Sequence, residues 1–308
     1  MYDVKRLSLL QDLSMLGTLA AVAEVNGVTA SAVSQQLKTL EDEAGVDLLV
    51  RDGRRVRLTA AGDLLVEHAA EVLAALERAR GAVAALQDEV AGEVTVAAYP
   101  SILAPVGSRL AVAVRERHPG VTVRLAETDA TRAMPAVIRR EIDAALVLRY
   151  PDDGDEVVPG VRTRRLFDER FVAVVPEALG GVVLHGGLGV LGRDRWIVGA
   201  PTLPCTRSIV SACRTAGFTP DVQHEGIGYL AAIQLVGAGL GVTVVPELSA
   251  QVLPEGVVAV PCAVPQRQVA LAYRDGAQGH PVTHALLDVA AEVGRTLKTR
   301  PLFGAHAV

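Results

Sequence analysis

The sequence predicts an α/β chain of several domains: a small helical head, one long helix, and a body of two α/β lobes. Three patterns carry that expectation. The first sixty residues divide into short helical runs broken at Gly17 and at the turn "NGV", followed by an arginine-rich hairpin. Apolar residues then recur every seven positions for more than three heptads. From Glu93 onward, short strand-like runs alternate with helical ones, which implies α/β layering with a largely parallel sheet. A length of 308 residues suits two or three domains better than a single core.

In the head, Leu9, Leu13 and Leu16 share one helical face, and Gly17 supplies a left-handed stop. Thr18 caps a second helix, "LAAVAEV", whose small residues let a neighbour approach closely. After the turn, Thr29 caps a third helix, "ASAVSQQLKTLE". There Val33, Leu37 and Leu40 fall on one side, while Ser31, Ser34, Gln35 and Lys38 fall on the other. Helix, tight turn and helix with a polar outer face is the helix-turn-helix arrangement, whose second helix enters the major groove. Uncharged hydroxyls and amides suit base edges, where the donor and acceptor pattern carries the sequence information.

"LLVR" and "RVRLT" read as two short strands joined through "DG", a strong hairpin signal. Arg51, Arg54, Arg55 and Arg57 cluster on this ribbon, in keeping with a wing that touches the phosphate backbone or minor groove. The head is not basic as a whole. Its seven basic residues (Lys5, Arg6, Lys38 and the four arginines) face eight acidic ones (Asp3, Asp12, Glu24, Glu41, Asp42, Glu43, Asp47, Asp52). The position of the charge matters more than its sum. A formal net charge of -5 excludes a protein that coats nucleic acid by bulk attraction, but not one that reads it locally.

The segment "GTLAAVAEVNGVTASAVSQQLKTLEDEAGVDLLVRDGRRVRLTAAG" resembles the winged helix-turn-helix of LysR-type transcriptional regulators. The match runs without gaps through "AVSQQL", "LE", "LL", "R.V.LT" and "AG". Asn26 departs from it, standing where the family usually has an apolar residue, and "LLVR" replaces the more common "LF.R". The resemblance implies that Thr29, Ser31, Ser34, Gln35 and Lys38 face the major groove of a double-stranded operator. It also implies that Arg51, Arg54 and Arg55 hold the DNA backbone.

After Thr59 the pattern is helical to about Val90. Leu65, Val72, Ala79 and Leu86 repeat every seven residues, as do Ala69, Leu76, Val83 and Val90 four places later. Together they form the a/d seam of a two-stranded coiled coil, which would pair two heads over two half-sites. Gly81 is the weak point of this helix and would permit a bend. Family resemblance adds that such homodimers often pair into homotetramers.

In the body, "EVTVAAYP", "VTVRLAE" and "DAALVL" read as strands with helices between them. The pattern restarts with "RFVAVVP", "RWIVGA", "DVQHEG" and "VTVVP", and closes with "RQVALAYR" and a last helix. Two lobes linked by two crossings enclose a cleft suited to a small ligand. The resemblance continues here, since "REIDAAL" and "LVGAGLGVTVVP" are similar to the corresponding family segments. It implies a periplasmic-binding-protein-like effector domain. The expected boundaries are a DNA-binding head at 1–62, a linker helix at 63–91 and an effector domain at 92–308. Its first lobe would hold 92–163 and 269–308, its second 164–268.

Ligands of such folds lie at strand carboxyl ends, near helix N-termini that favour anions. That rule selects Tyr99, Pro100, Ser101 and Ile102, then Thr128, Asp129 and Thr131, in the first lobe. In the second it selects Cys205, Thr206, Arg207, Gly226 and Tyr229. Helix termini and Arg207 favour a small anionic effector.

Half of the residues are hydrophobic and few are aromatic, so the core is built from Ala, Val and Leu. Cys205, Cys213 and Cys262 are an odd count without metal-like spacing, which suits a reducing compartment. The N-terminus lacks an uninterrupted signal core, and the expected location is the cytoplasm. The uncharged run from Gly226 to Pro246 is long enough for a membrane span. Gly237, Gly239 and Gly241 break it, so helix, turn and buried strand is the better account. No metal site, cofactor or catalytic constellation is expected; "GLGVLG" at 187–192 lacks the strand and helix of a dinucleotide site. Two alternatives stay open. One is a thiol-redox-sensing regulator using Cys205 and Cys213, spaced much like the redox pair of peroxide-sensing members of the family. The other is a solute-binding or catalytic α/β protein with an incidental helical head.

Overall fold

The computed structural model describes residues 1–52, 55–87, 89–151, 154 and 158–299. Arg54 lies outside them, and for Arg51 and Arg55 only the backbone is described.

The head begins with α1 (Val4–Leu16), α2 (Leu19–Asn26) and α3 (Ala30–Ala44). Each has a polar cap: Asp3 Oδ1 accepts from the Lys5 amide, Thr18 Oγ1 from Ala21 and Thr29 Oγ1 from Ala32. Gly17 ends α1 with a φ of 69°, in the left-handed region that glycine enters without a Cβ penalty. Strands β1 (Leu49–Asp52) and β2 (Arg55–Leu58) pair antiparallel to form the wing. Helix α4 (Ala60–Ala84) follows, capped by Thr59. Leu10, Leu13, Val22, Val33, Leu37, Leu40, Leu48 and Val66 form the buried core of this unit. A Cβ on Gly62 would stand 2.3 Å from the Leu48 carbonyl oxygen, so only glycine lets α4 cross the start of the wing this closely.

The first lobe holds β3 (Gly92–Ala98), β4 (Val121–Glu127), β5 (Ala144–Arg149), β6 (Val161–Glu169) and β12 (Arg267–Arg274), in the order β4-β3-β5-β12-β6. Strand β3 runs parallel to β4 and β5, whereas β12 is antiparallel to β5 and β6. Between β3 and β4 the chain forms α5 (Pro100–Ile102), a wide turn at Leu103–Gly107 and α6 (Ser108–Arg117). Helix α7 (Ala133–Ile138) lies between β4 and β5, and α11 (Pro281–Thr299) closes the chain over the sheet.

The second lobe contains β7 (Phe171–Pro176), α8 (Glu177–Gly186), β8 (Arg195–Ile197), α9 (Pro204–Thr215), β9 (Asp221–His224), α10 (Tyr229–Gly237), β10 (Thr243–Pro246) and β11 (Val257–Pro261). Here β10, β7 and β11 form an antiparallel trio, while β8 and β9 pair parallel. The sheets are therefore mixed rather than largely parallel. The chain enters and leaves the second lobe through strands that double back on their neighbours, which need no helical crossover.

Three further expectations shift. The helix after Thr59 ends at Ala84, so Leu86 lies beyond it and Val90 packs on the first lobe's core. The lobe change expected between 163 and 164 falls inside β6, and that between 268 and 269 inside β12. Both strands belong to the first sheet, so the crossings lie at Arg170 and between Pro261 and Arg267. Helix α4 runs unbroken through Gly81. A Cβ there would stand 2.8 Å from the backbone of Gly279 and His280, so this glycine is the point where α4 docks on the body.

Head and body meet along that docking line. Buried Gln11 donates through Nε2 to the Pro159 carbonyl at 3.0 Å. Glu77 on α4 is paired with Arg140, whose φ of 62° brings it out of the turn after α7. Arg274 stands 3.8 Å from the same carboxylate and donates to the Val137 and Ile142 carbonyls. Among the described residues, no helix is long and apolar enough to cross a membrane.

Candidate functional site

The outer face of α3 is built by its inner one. Val33 and Leu40 are fully buried and Leu37 nearly so, and this fixes the helix's rotation. Ser31, Ser34, Gln35 and Lys38 consequently form one exposed row, with Thr29 at its N-terminal end. Thr29 and Ser31 share a hydroxyl contact of 2.9 Å, and the side chains of Ser34 and Gln35 point to solvent. The Lys38 ammonium lies 3.6 Å from both Glu41 and Asp42, and Asp42 and Glu41 hold its pKa above the ordinary value. Glu41 also accepts the Leu48 and Leu49 amides, which ties the recognition helix to the root of the wing.

Two supports of this face carry no clear mark in the sequence. Arg6 reaches from α1 to α3, donating to Gln36 Oε1 at 3.0 Å and to Glu43 at 2.6 Å. Asn26, the departure from the family pattern, donates through Nδ2 to buried Asp12 at 2.9 Å and to the Val22 carbonyl. Burial pushes the Asp12 carboxyl up, and the Asn26 amide opposes that shift. The polar residue at this position is thus matched by a buried acceptor, as a buried amide must be.

Along α4 the expected seam divides. Ala69 is buried in the head's own core and Leu65 packs against it. Val72, Leu76, Ala79 and Val83 are exposed, Val83 by 69%. The face that docks on the chain's own body is a different one: Ala70, Ala74, Glu77 and Gly81.

The larger cleft, about 1570 Å³, opens between the lobes. Tyr99, Pro100, Ser101, Thr128, Asp129, Cys205 and Tyr229 line it among the residues singled out above. The others sit elsewhere. Ile102 is fully buried in the first core. Thr131 is bound to Asp129 through both its amide and its hydroxyl, and this hydroxyl holds the Asp129 carboxyl below its usual range. Thr206 points inward, its Oγ1 2.8 Å from where a Cβ on Gly199 would stand. Arg207 is exposed and donates to the Thr202 carbonyl at 2.7 Å, and Gly226 makes an exposed left-handed turn. One helical turn explains the pattern: Cys205 at the start of α9 faces the cleft, so Thr206 and Arg207 are rotated away from it.

The floor of the cleft carries a pair missed in the sequence, Arg267 and Glu169. Arg267 is fully buried. It donates through Nε to Glu169 Oε2 at 2.8 Å and through Nη1 to Ser101 Oγ at 3.2 Å and Tyr150 Oη at 3.5 Å. Its guanidinium carbon lies 6.0 Å from the Phe171 ring centre. Burial opposes its charge, but Glu169 and the tyrosines outweigh burial and keep it protonated. Nothing marks either residue in the sequence as more than a solvated charge.

Cys205 and Cys213 are both buried on the continuous helix α9. Eight residues of helix separate them by about 12 Å, against an upper limit of about 7 Å between disulfide-linked Cα atoms. Burial also pushes the Cys213 thiol up to about 11, away from the thiolate form. Among the described residues no group of His, Cys, Asp or Glu is placed to hold a metal ion.

Comparison with known proteins agrees with this geometry. Residues 4–63 match the bacterial regulatory helix-turn-helix proteins of the lysR family, and residues 87–295 match the LysR substrate binding domain. A probable hydrogen peroxide-inducible genes activator of Streptomyces viridosporus is 31% identical over 291 residues, covering 86% of this chain and 88% of that protein. The transcriptional dual regulator GltC of Bacillus subtilis is 29% identical over 240 residues, covering 77% and 78%. Among solved structures, full-length CbnR complexed with its target DNA aligns with a TM-score of 0.56 at 21% identity, over 95% of this chain and all of that one. A full-length OxyR variant from Pseudomonas aeruginosa aligns at 0.58 and 23%, over 96% and 98%. With both its head and its body matched, the chain belongs to the LysR family of bacterial transcriptional regulators.

Proposed function

We propose that the protein binds a specific operator through paired heads and changes that binding when a small molecule occupies the interlobe cleft. The observation that carries this reading is the exposed polar row of α3, held in register by buried Val33, Leu37 and Leu40. Residues 1–62 form the DNA-binding head in this reading, 63–91 the linker and 92–308 the effector domain, with lobes that exchange at the crossings described above. Thr29, Ser31, Ser34, Gln35 and Lys38 meet the major groove; Arg51, Arg54 and Arg55 meet phosphates. A second copy of the chain covers Val72, Leu76, Ala79 and Val83 on α4, giving a homodimer able to span two half-sites. The chain acts in the cytoplasm, where its DNA is, and performs no catalytic step.

The cleft is supported as the effector site by the convergence of both lobes on one set of buried polar groups. An effector shifts DNA binding only through its different affinity for the two cleft states. Footprinting on the protein's own upstream DNA tests the reading. A protected, roughly palindromic stretch is expected, and no protection on any genomic fragment at low salt removes it.

A thiol-based second reading is favoured by one observation, that Cys205 lines the cleft. The Streptomyces viridosporus relative, a probable hydrogen peroxide-inducible genes activator, points the same way. A Cys205–Cys213 bridge requires α9 to unwind. Mass spectrometry after mild peroxide that finds no intramolecular disulfide disposes of it.

A further inference from the structure

At the edge of the recognition face, the amide of Gln36 has its direction already set. Gln36 follows Gln35 on α3, about 100° further round the helix, on the flank that meets α1. Its side chain is exposed. Arg6 Nε donates to Gln36 Oε1 at 3.0 Å, and the same guanidinium donates through Nη1 to Glu43 Oε1 at 2.6 Å. Positions 36 and 43 stand two turns apart on one side of α3, so Arg6 spans them as a brace. Arg6 is also held at its root, because Asp3 Oδ1 accepts its backbone amide at 3.3 Å.

The brace gives the amide a polarity. A carboxamide has an acceptor end and a donor end. Arg6 occupies the acceptor end of Gln36, and Gln36 Nε2 has no partner among the described residues. What Gln36 offers to an incoming duplex is therefore a pair of N–H donors. Gln35 differs, since its side chain has no such partner and can turn either end toward a base. Side chains at the centre of a recognition helix meet base edges, and those on its flank meet the groove wall, where the acceptors are phosphate oxygens.

We propose that Gln36 donates its amide to a phosphate oxygen of the operator, and that Arg6 is the positioning residue that holds this amide in place. The inference rests on α3 being the recognition helix. Glu43 meets the charge of Arg6, so the guanidinium serves as a brace and not as a further phosphate ligand. An amide fixed before binding has less rotamer freedom left to lose on the DNA. The contact carries no sequence information itself. It sets the register in which the neighbouring Gln35 is presented to the bases.

The test is binding of the full-length protein to its upstream operator and to an unrelated duplex, over a range of salt. Gln36→Ala should weaken both about tenfold and leave the salt slope in place, because no cation is lost. Arg6→Lys keeps a charge for Glu43 but loses the planar fork, and should weaken binding with little change in Tm. Added to Gln36→Ala it should weaken binding no further, because it acts through that amide. Methylphosphonate placed at one operator phosphate after another should reveal a position that costs the wild type about tenfold and the Gln36→Ala protein nothing. If the two substitutions add in full and no such phosphate exists, Arg6 is a structural strut only and the proposal is overturned. A loss confined to one operator base pair overturns it too, and moves Gln36 to a base edge. Unchanged binding by Gln36→Ala removes the contact and leaves the recognition helix standing. If the wild type binds no upstream DNA, both fall.

Discussion

The recognition face of α3 and the floor of the cleft are both rich in hydroxyls, yet they are made in opposite ways. The face is a single helical stretch whose side chains reach solvent, with only local contacts such as Thr29–Ser31 and Lys38–Glu41. The floor is assembled from segments spread between Ser101 and Arg267, and its groups are buried around one ion pair. An exposed polar group costs little when unpaired, so the face is free to be specified by its future partner. A buried one must be matched, so the floor is tied to stability as well as to binding. Substitutions on the face should therefore change DNA binding alone, and those on the floor should change folding.

The sharpest test of that contrast is Glu169→Ala. It leaves Arg267 buried without its carboxylate and should destabilise the protein by about 3–5 kcal/mol, read from denaturant unfolding. A loss below about 1 kcal/mol would place the pair among weak surface bridges and break the comparison. On the face, Gln35→Ala should cost about 1–3 kcal/mol on the operator and leave the unfolding midpoint in place. Titration against mutated operators then locates the base that it reads.

Between the two regions lies the docking line of α4. Gly81→Ala improves helix propensity by about 1 kcal/mol but places a methyl against the backbone of Gly279 and His280. Overpacking of this kind typically costs about 1–3 kcal/mol, so a net fall in Tm is expected. A rise in Tm would mean that the head and body do not rest on each other there.

Asp12 offers a pH-dependent version of the same comparison, since it is a floor-like group inside the head. Burial holds its folded pKa above the ordinary 3.8, so the folded chain binds this proton more tightly than the unfolded one. Its stabilising contribution is full below that ordinary value and is lost as pH rises through the folded one. Asp12→Asn should flatten stability against pH over that window, measured as the shift of the denaturant midpoint between acid and neutral buffer. The smallest effect is expected for Arg55→Ala, which should reduce the salt slope of DNA binding by about one unit without altering sequence preference.

What could be read in the sequence follows from locality. The caps Thr18 and Thr29, the stop at Gly17, and the rotation of α3 depend on residues at most a few positions apart, and the sequence carries them directly. Strand β6 was not legible, because "VRTRRLFDE" is an edge strand whose Arg162, Arg164 and Arg165 interrupt the apolar alternation. Charged edge strands are a common protection against unwanted pairing, and they hide their own pattern. Seven of the residues that the strand rule selected line the cleft, and Ile102, Thr131, Thr206, Arg207 and Gly226 do not, because the rule marks a segment end and not a direction.

By itself, the sequence determined the helical head, the polar row on α3, the long helix α4 and the α/β character of the body, all set by periodicities of two or 3.6 residues. Only the tertiary structure decided that Glu169 faces Arg267, that Asn26 answers Asp12, and that Gly81 is a docking point. The reason is physical. A buried charge or amide is stable only where chain segments distant in sequence bring a partner within about 3 Å, and no local pattern records which segments those will be.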